Sequence, residues 1–152
     1  MTDSLYNEKI LALAADLKKV DRLNNPDVSV TVSSALCGSR VKVDLVFGDG
    51  VVKDYGQEVR ACALGQSSAA LMKQIVVGKT PVSIRKAAGQ MRDMLAGKSD
   101  PPDGDWAGYA ALLPARDHRS RHASVMLPFD GVVKAIDLLE NAGEDKTVDH
   151  AG

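Results

Sequence analysis

Cys37 and Cys62 are the two cysteines of this 152-residue chain, and their thiols offer the nucleophile and soft metal ligand that its other side chains do not. In a reducing compartment a pair of separated thiols is more often free, metal-binding or reactive than joined as a disulfide. Cys62 opens the run Ala63-Leu64-Gly65-Gln66-Ser67-Ser68, which reads as the start of a helix. Unpaired N–H groups and the macrodipole at a helix N-terminus favour a thiolate there. Taken on residue type alone, Cys62 reads instead as a small apolar residue filling a tight junction. Cys37 lies in Ala35-Leu36-Cys37-Gly38-Ser39, where Gly38 lets the backbone turn. A third group, residues 116–124, carries His118 and His122 with Arg116, Arg119 and Arg121. Either imidazole can complete a thiolate–imidazole metal site, and the arginines can stabilise a thiolate or sulfide. Without the cysteines the same stretch reads as a solvated basic face. Asp44, Asp49 and Asp54 sit around a hairpin, where they suggest solubility rather than acid–base work. No phosphate loop, dinucleotide fingerprint, nucleophile elbow or HExxH is present.

The elements that position these groups follow from periodicity. Residues 4–20 place Leu5, Ile10, Leu13, Leu17 and Val20 at spacings near three and four, predicting an amphipathic first helix. Residues 28–33 alternate Val28, Val30 and Val32 with Ser and Thr, predicting a half-buried strand. Val41, Val43, Leu45 and Phe47 then alternate with Arg40, Lys42 and Asp44. Gly48-Asp49-Gly50 can turn tightly with positive φ, so residues 40–59 read as a hairpin. Such a hairpin brings Cys37, before its first strand, and Cys62, after its second, to one end of a sheet. Residues 62–77 and 82–95 predict two helices, and residues 97–104 an exposed loop. A short helical segment is expected over 106–113, interrupted by Pro114. Phe129, Val132, Val133, Ile136 and Leu139 give a last helix its apolar stripe. Strands grouped early and helices grouped late predict an α+β domain, a small three-stranded antiparallel sheet with helices packed on one face.

Composition agrees. With 45% hydrophobic and 26% charged residues, the chain can bury a core without disulfide or metal staples. A net charge of −1 excludes broad coating of nucleic acid, and no apolar stretch approaches the roughly 20 residues of a membrane helix, so neither nucleic acid nor a membrane is expected as a partner. The first residues lack the profile of a secretory signal, and a cytoplasmic location is expected. One domain over 1–140 and a polar tail over 141–152 are the expected organisation.

Cys37-Gly38, the hairpin, the run from Cys62 to Met72, and Arg121-His122-Ala123-Ser124-Val125-Met126-Leu127-Pro128-Phe129 together resemble the NifU/IscU/SufU family of iron–sulfur cluster assembly scaffolds. The resemblance covers about residues 5–139. The long span between Cys62 and the last helix is more similar to the SufU branch. It implies a SufE/NifU-like α+β fold, a transient iron–sulfur cluster or zinc as the bound group, and a cysteine desulfurase and apo iron–sulfur proteins as partners. The oligomer implied is a monomer or weak homo-oligomer. It carries Cys37, Cys62 and His122 over as metal ligands, with Gly38, Ser39, His118 and Arg121 supporting them. Two positions depart from the family pattern. Ser39 stands where the family has a liganding aspartate, and Ala123, or His122 if the alignment slips by one residue, where it has a third cysteine. A serine hydroxyl is a poor metal ligand near neutral pH and is at best a hydrogen-bond partner. The expected function is a scaffold or carrier, a transfer protein rather than a turnover enzyme. The alternatives are a zinc-binding sulfur acceptor for a desulfurase, and a degenerate interaction module that no longer binds metal.

Overall fold

The computed structural model of the chain describes residues 7–35 and 38–142 in full and the backbone of 143–151. Helix α1, Glu8–Asp16, is capped by Asn7, whose side chain accepts from the Ile10 amide at 3.0 Å. The helix is shorter than the spacing of its leucines predicts. Val20 leaves it for a two-residue strand, β1 (Val20–Asp21), and Ser4 and Leu5 lie outside the described residues.

Strands β2 (Val28–Ser33), β3 (Arg40–Gly48) and β4 (Val51–Arg60) form the expected antiparallel meander. The expected three-stranded sheet thus has a fourth strand, since β1 adds antiparallel to β4 in the order β1-β4-β3-β2. Asp49 and Gly50 both have positive φ, 55° and 80°, as a two-residue type I′ hairpin loop requires. A register shift between Val46 and Phe47 puts one extra residue in β4, so Val52 and Tyr55 both point into the core.

Helices α2 (Ala63–Ile75) and α3 (Pro81–Leu95) follow, the latter started by Thr80, which accepts from the Ser83 amide, and by Pro81 at its first position. A 3-10 stretch, Gly104–Asp117, contains Pro114, and a 3-10 turn, Arg119–Arg121, leads into helix α4, His122–Ala151. Helix α4 lies across β2 and β3, and α2 beside it reaches β4, so the helices occupy one face of the sheet. Val41, Val43, Leu45, Tyr55 and Val59 meet Leu64, Met72, Phe129, Val132 and Ile136 in that layer. No helix among the described residues is long and apolar enough to cross a membrane.

The opposite face of the sheet carries a correction to the reading of the hairpin carboxylates. Asp49 is exposed and pairs with Lys53 at 2.9 Å, and Asp54 is exposed too, but Asp44 is fully buried. The segment after β1 crosses the sheet and covers it. Arg22 grips Asp44 with two bonds of 2.6 and 2.9 Å, Ser29 Oγ donates at 2.5 Å, and the Leu23 amide donates at 3.1 Å. The crossing is possible because Gly56, opposite Asp44 in β4, has no side chain. A Cβ there would lie 2.8 Å from both Asp21 O and Leu23 N.

Candidate functional site

The register Arg40↔Arg60 fixes what lies at the end of the sheet. The chain enters β3 through Gly38 and Ser39 and leaves β4 through Ala61 and Cys62, so the two flanks meet there as the hairpin predicts. The loop base is tied by Ser34: its amide donates to Ser39 O, and its carbonyl accepts from the Gly38 amide, both at 2.8 Å. Gly38 has φ 71° with open space around its Cα, so the backbone conformation, not crowding, calls for glycine. Leu36 and Cys37 lie outside the described residues.

Cys62 is the N-cap residue of α2, half-buried, with its thiol free. Its Sγ lies 3.4 Å from Ser124 Oγ, which in turn lies 3.2 Å from Ser39 Oγ. Burial pushes the thiol's pKa up. The contact with Ser124, the backbone N–H groups of Gly65 and Leu64, and the positive charge of Arg121 outweigh it, and the net shift is downward. The thiolate favoured by the helix start is therefore favoured by its surroundings as well.

Ser124 escaped the sequence reading as a functional residue. It is 0% exposed, and it approaches α2 because Gly65 lacks a side chain: a Cβ there would lie 2.5 Å from Ser124 Oγ. A glycine one turn into a helix that opens on cysteine is the signal in the sequence that something packs close at that point.

The basic run divides between two directions. Arg121 sits one turn before Ser124 and acts on Cys62. His122 turns to the other side of α4, where its Nε2 lies 3.0 Å from Ala115 O and 2.9 Å from Arg116 O. Both partners are carbonyls, which can only accept, so Nε2 carries the proton and Nδ1 is the nitrogen left for another role. His122 also lines an open depression with Lys98, Arg116 and Arg119. Ala123 is exposed, and His118 is exposed at the junction of the two 3-10 segments. Of the expected set, Cys62, Ser39, Gly38 and Arg121 share the sheet end. No group of three or more His, Cys, Asp or Glu side chains close enough to hold a metal occurs among the described residues.

The fold and this site define a class: a small α+β protein presenting an activated thiol at a strand–helix junction, backed by buried hydroxyls and an arginine. No protein-family model matches the sequence. Over 95 residues, 62% of this chain and 67% of the relative, it is 30% identical to the iron–sulfur cluster assembly scaffold protein IscU of Thermotoga maritima. Over 134 residues, 88% of this chain and 90% of the relative, it is 22% identical to the zinc-dependent sulfurtransferase SufU of Bacillus subtilis. The solved structure of the N-terminal part of a NifU-like protein from Brucella abortus superposes with a TM-score of 0.89 at 41% identity, covering 92% of this chain and 97% of that one. A SUF-system scaffold from Fervidobacterium islandicum, 20% identical, shares the fold with a TM-score of 0.80, covering 89% of this chain and 98% of its own. The chain belongs to the NifU/IscU/SufU family of iron–sulfur cluster assembly scaffolds.

Proposed function

We propose that this protein is a cytoplasmic scaffold and carrier that takes sulfane sulfur from a cysteine desulfurase, holds it with iron as a transient [2Fe–2S] cluster once an external electron donor has reduced it to sulfide, and passes the cluster to apo-proteins. The cluster is cargo. Cys37 and Cys62 supply thiolate ligands, and His122, which faces the other side of α4 from Cys62, adds an imidazole by turning its ring towards the sheet end, with Gly38, Ser39, His118 and Arg121 in support. The observation that carries the reading is the state of Cys62, a thiol whose surroundings favour its ionised form at the sheet end where the Gly38–Ser39 loop also arrives. Mixed thiolate and imidazole ligation suits a [2Fe–2S] cluster and zinc alike. In the orientation described, the His122 Nε2–H is held by two backbone carbonyls, and the ring must leave them to reach the Cys62 sulfur.

Anaerobic reconstitution with Fe²⁺ and sulfide tests this. Wild type is expected to gain sulfur-to-iron charge-transfer absorption that is lost in Cys37→Ser and Cys62→Ser and weakened in His122→Ala. A wild-type protein that stays colourless, or substitutions that leave the bands unchanged, sinks the reading.

A second reading draws on the relative named as a zinc-dependent sulfurtransferase. Here the same donors hold zinc, and a thiolate attacks the outer sulfur of a desulfurase persulfide. A new S–S bond forms as the donor's breaks, and the donor leaves as a thiolate. Stoichiometric zinc in untagged protein, together with stimulation of a desulfurase, favours this branch.

A further inference from the structure

Ser124 is the side chain through which α4 reaches both other elements of the site. Its buried hydroxyl stands between Ser39 Oγ, 3.2 Å away on the loop into β3, and Cys62 Sγ, 3.4 Å away at the start of α2. Its place is crowded into one position by Gly65, where any Cβ would collide with the hydroxyl at 2.5 Å. A thiolate or metal-bound sulfur has no proton to give. In either state only Ser124 can donate across its contact with Cys62, and when it does its oxygen is open to accept from Ser39. With Ser124 donating to the sulfur, the three groups line up as Ser39, Ser124 and Cys62.

We propose that Ser124 is the positioning residue of this site: it fixes the Cys62 side chain in one rotamer and keeps a hydroxyl donor on the Cys62 sulfur when that sulfur carries metal. The proposal rests on the reading of Cys62 as a ligand. Its significance comes from the neighbouring departure at Ser39, which leaves a hydroxyl rather than a carboxylate in the chain of contacts that ends on the sulfur. Outer partners of metal ligands commonly govern affinity by about 10–100-fold.

The test uses the full chain with Ser124→Ala and Ser124→Thr. In the metal-free protein, Hα–Hβ couplings of Cys62 measured by NMR report its rotamer. Wild type and Ser124→Thr are expected to show a single rotamer, and Ser124→Ala an average over several. With Co²⁺ as the probe under anaerobic conditions, Ser124→Ala is expected to bind about 10-fold or more weakly than wild type, with Ser124→Thr restoring most of the loss. An unchanged rotamer or an unchanged Co²⁺ affinity in Ser124→Ala overturns the inference, as does failure of threonine to restore either. Should wild type show no thiolate-to-Co²⁺ absorption, the ligand reading of Cys62 fails with it. The rotamer couplings then decide whether Ser124 orders the thiol.

Discussion

Asp44 shows how a carboxylate can serve the fold alone although the site is only a few residues away. Burial pushes its pKa up, but the bonds from Arg22, Ser29 and the Leu23 amide, with the charge of Arg22, outweigh that and hold the pKa below its ordinary value. A depressed carboxylate contributes stability that is present above its unfolded pKa, about 4, and lost as pH falls through the folded value. Denaturant unfolding should therefore show stability declining below about pH 4, and Asp44→Asn should flatten that decline. At neutral pH the same substitution removes the carboxylate that holds Arg22 by two bonds and leaves it Glu58 at 3.5 Å, and a loss of about 1–3 kcal/mol is expected. Alternation alone does not reveal this, because Asp44 occupies the polar phase of a strand whose pattern is otherwise regular. Ser124 was hidden for a similar reason. A serine next to a basic run looks solvated until a second element closes over it.

Among the elements, the β3–β4 hairpin carries the most. Its turn, its first strand and its arrival at Cys62 were all legible from alternation and from Asp49-Gly50. Its second strand has a less regular pattern because the bulge opposite Val46 and Phe47 breaks the period of two. Strand β1 was not legible at all, for two residues carry no period, and Val20 fits the helical spacing that precedes it. What makes β1 a strand is its pairing, Val20↔Glu58 and Asp21↔Gln57, on the far edge of β4. Gly56→Ala tests that crossing directly. The new Cβ meets backbone on two sides, so either β1 or β4 must shift, and a loss of about 1–3 kcal/mol is expected in thermal or denaturant unfolding. If Gly56→Ala matches wild type, the 21–23 segment does not lie against β4 as described.

At the scale of the molecule, three aromatic residues join the late helices into one body. Phe129 of α4 packs against Tyr109 and Trp106 at centroid distances of 4.8 and 5.6 Å, the Tyr109 hydroxyl donates to Ser68 O, and the Trp106 indole donates to Ser83 Oγ. Among the described residues of α4 Ile136 is the last that is buried, and beyond it Asp137 and Glu140 reach Arg85 on α3. With the polar tail read from the sequence as lying outside the domain, removing residues 143–152 is expected to change unfolding free energy by less than about 0.5 kcal/mol, and a larger loss would show that the domain extends past 140. What the sequence by itself determined was the order and type of the main elements and the convergence of the hairpin's flanks, since period and turn chemistry are local properties. Which way His122 faces, what covers Asp44 and which hydroxyl attends Cys62 were decided by tertiary structure alone. Each depends on an approach between segments far apart in the chain, at Gly56 and Gly65 through a missing side chain, and neither propensity nor spacing records who the neighbour will be.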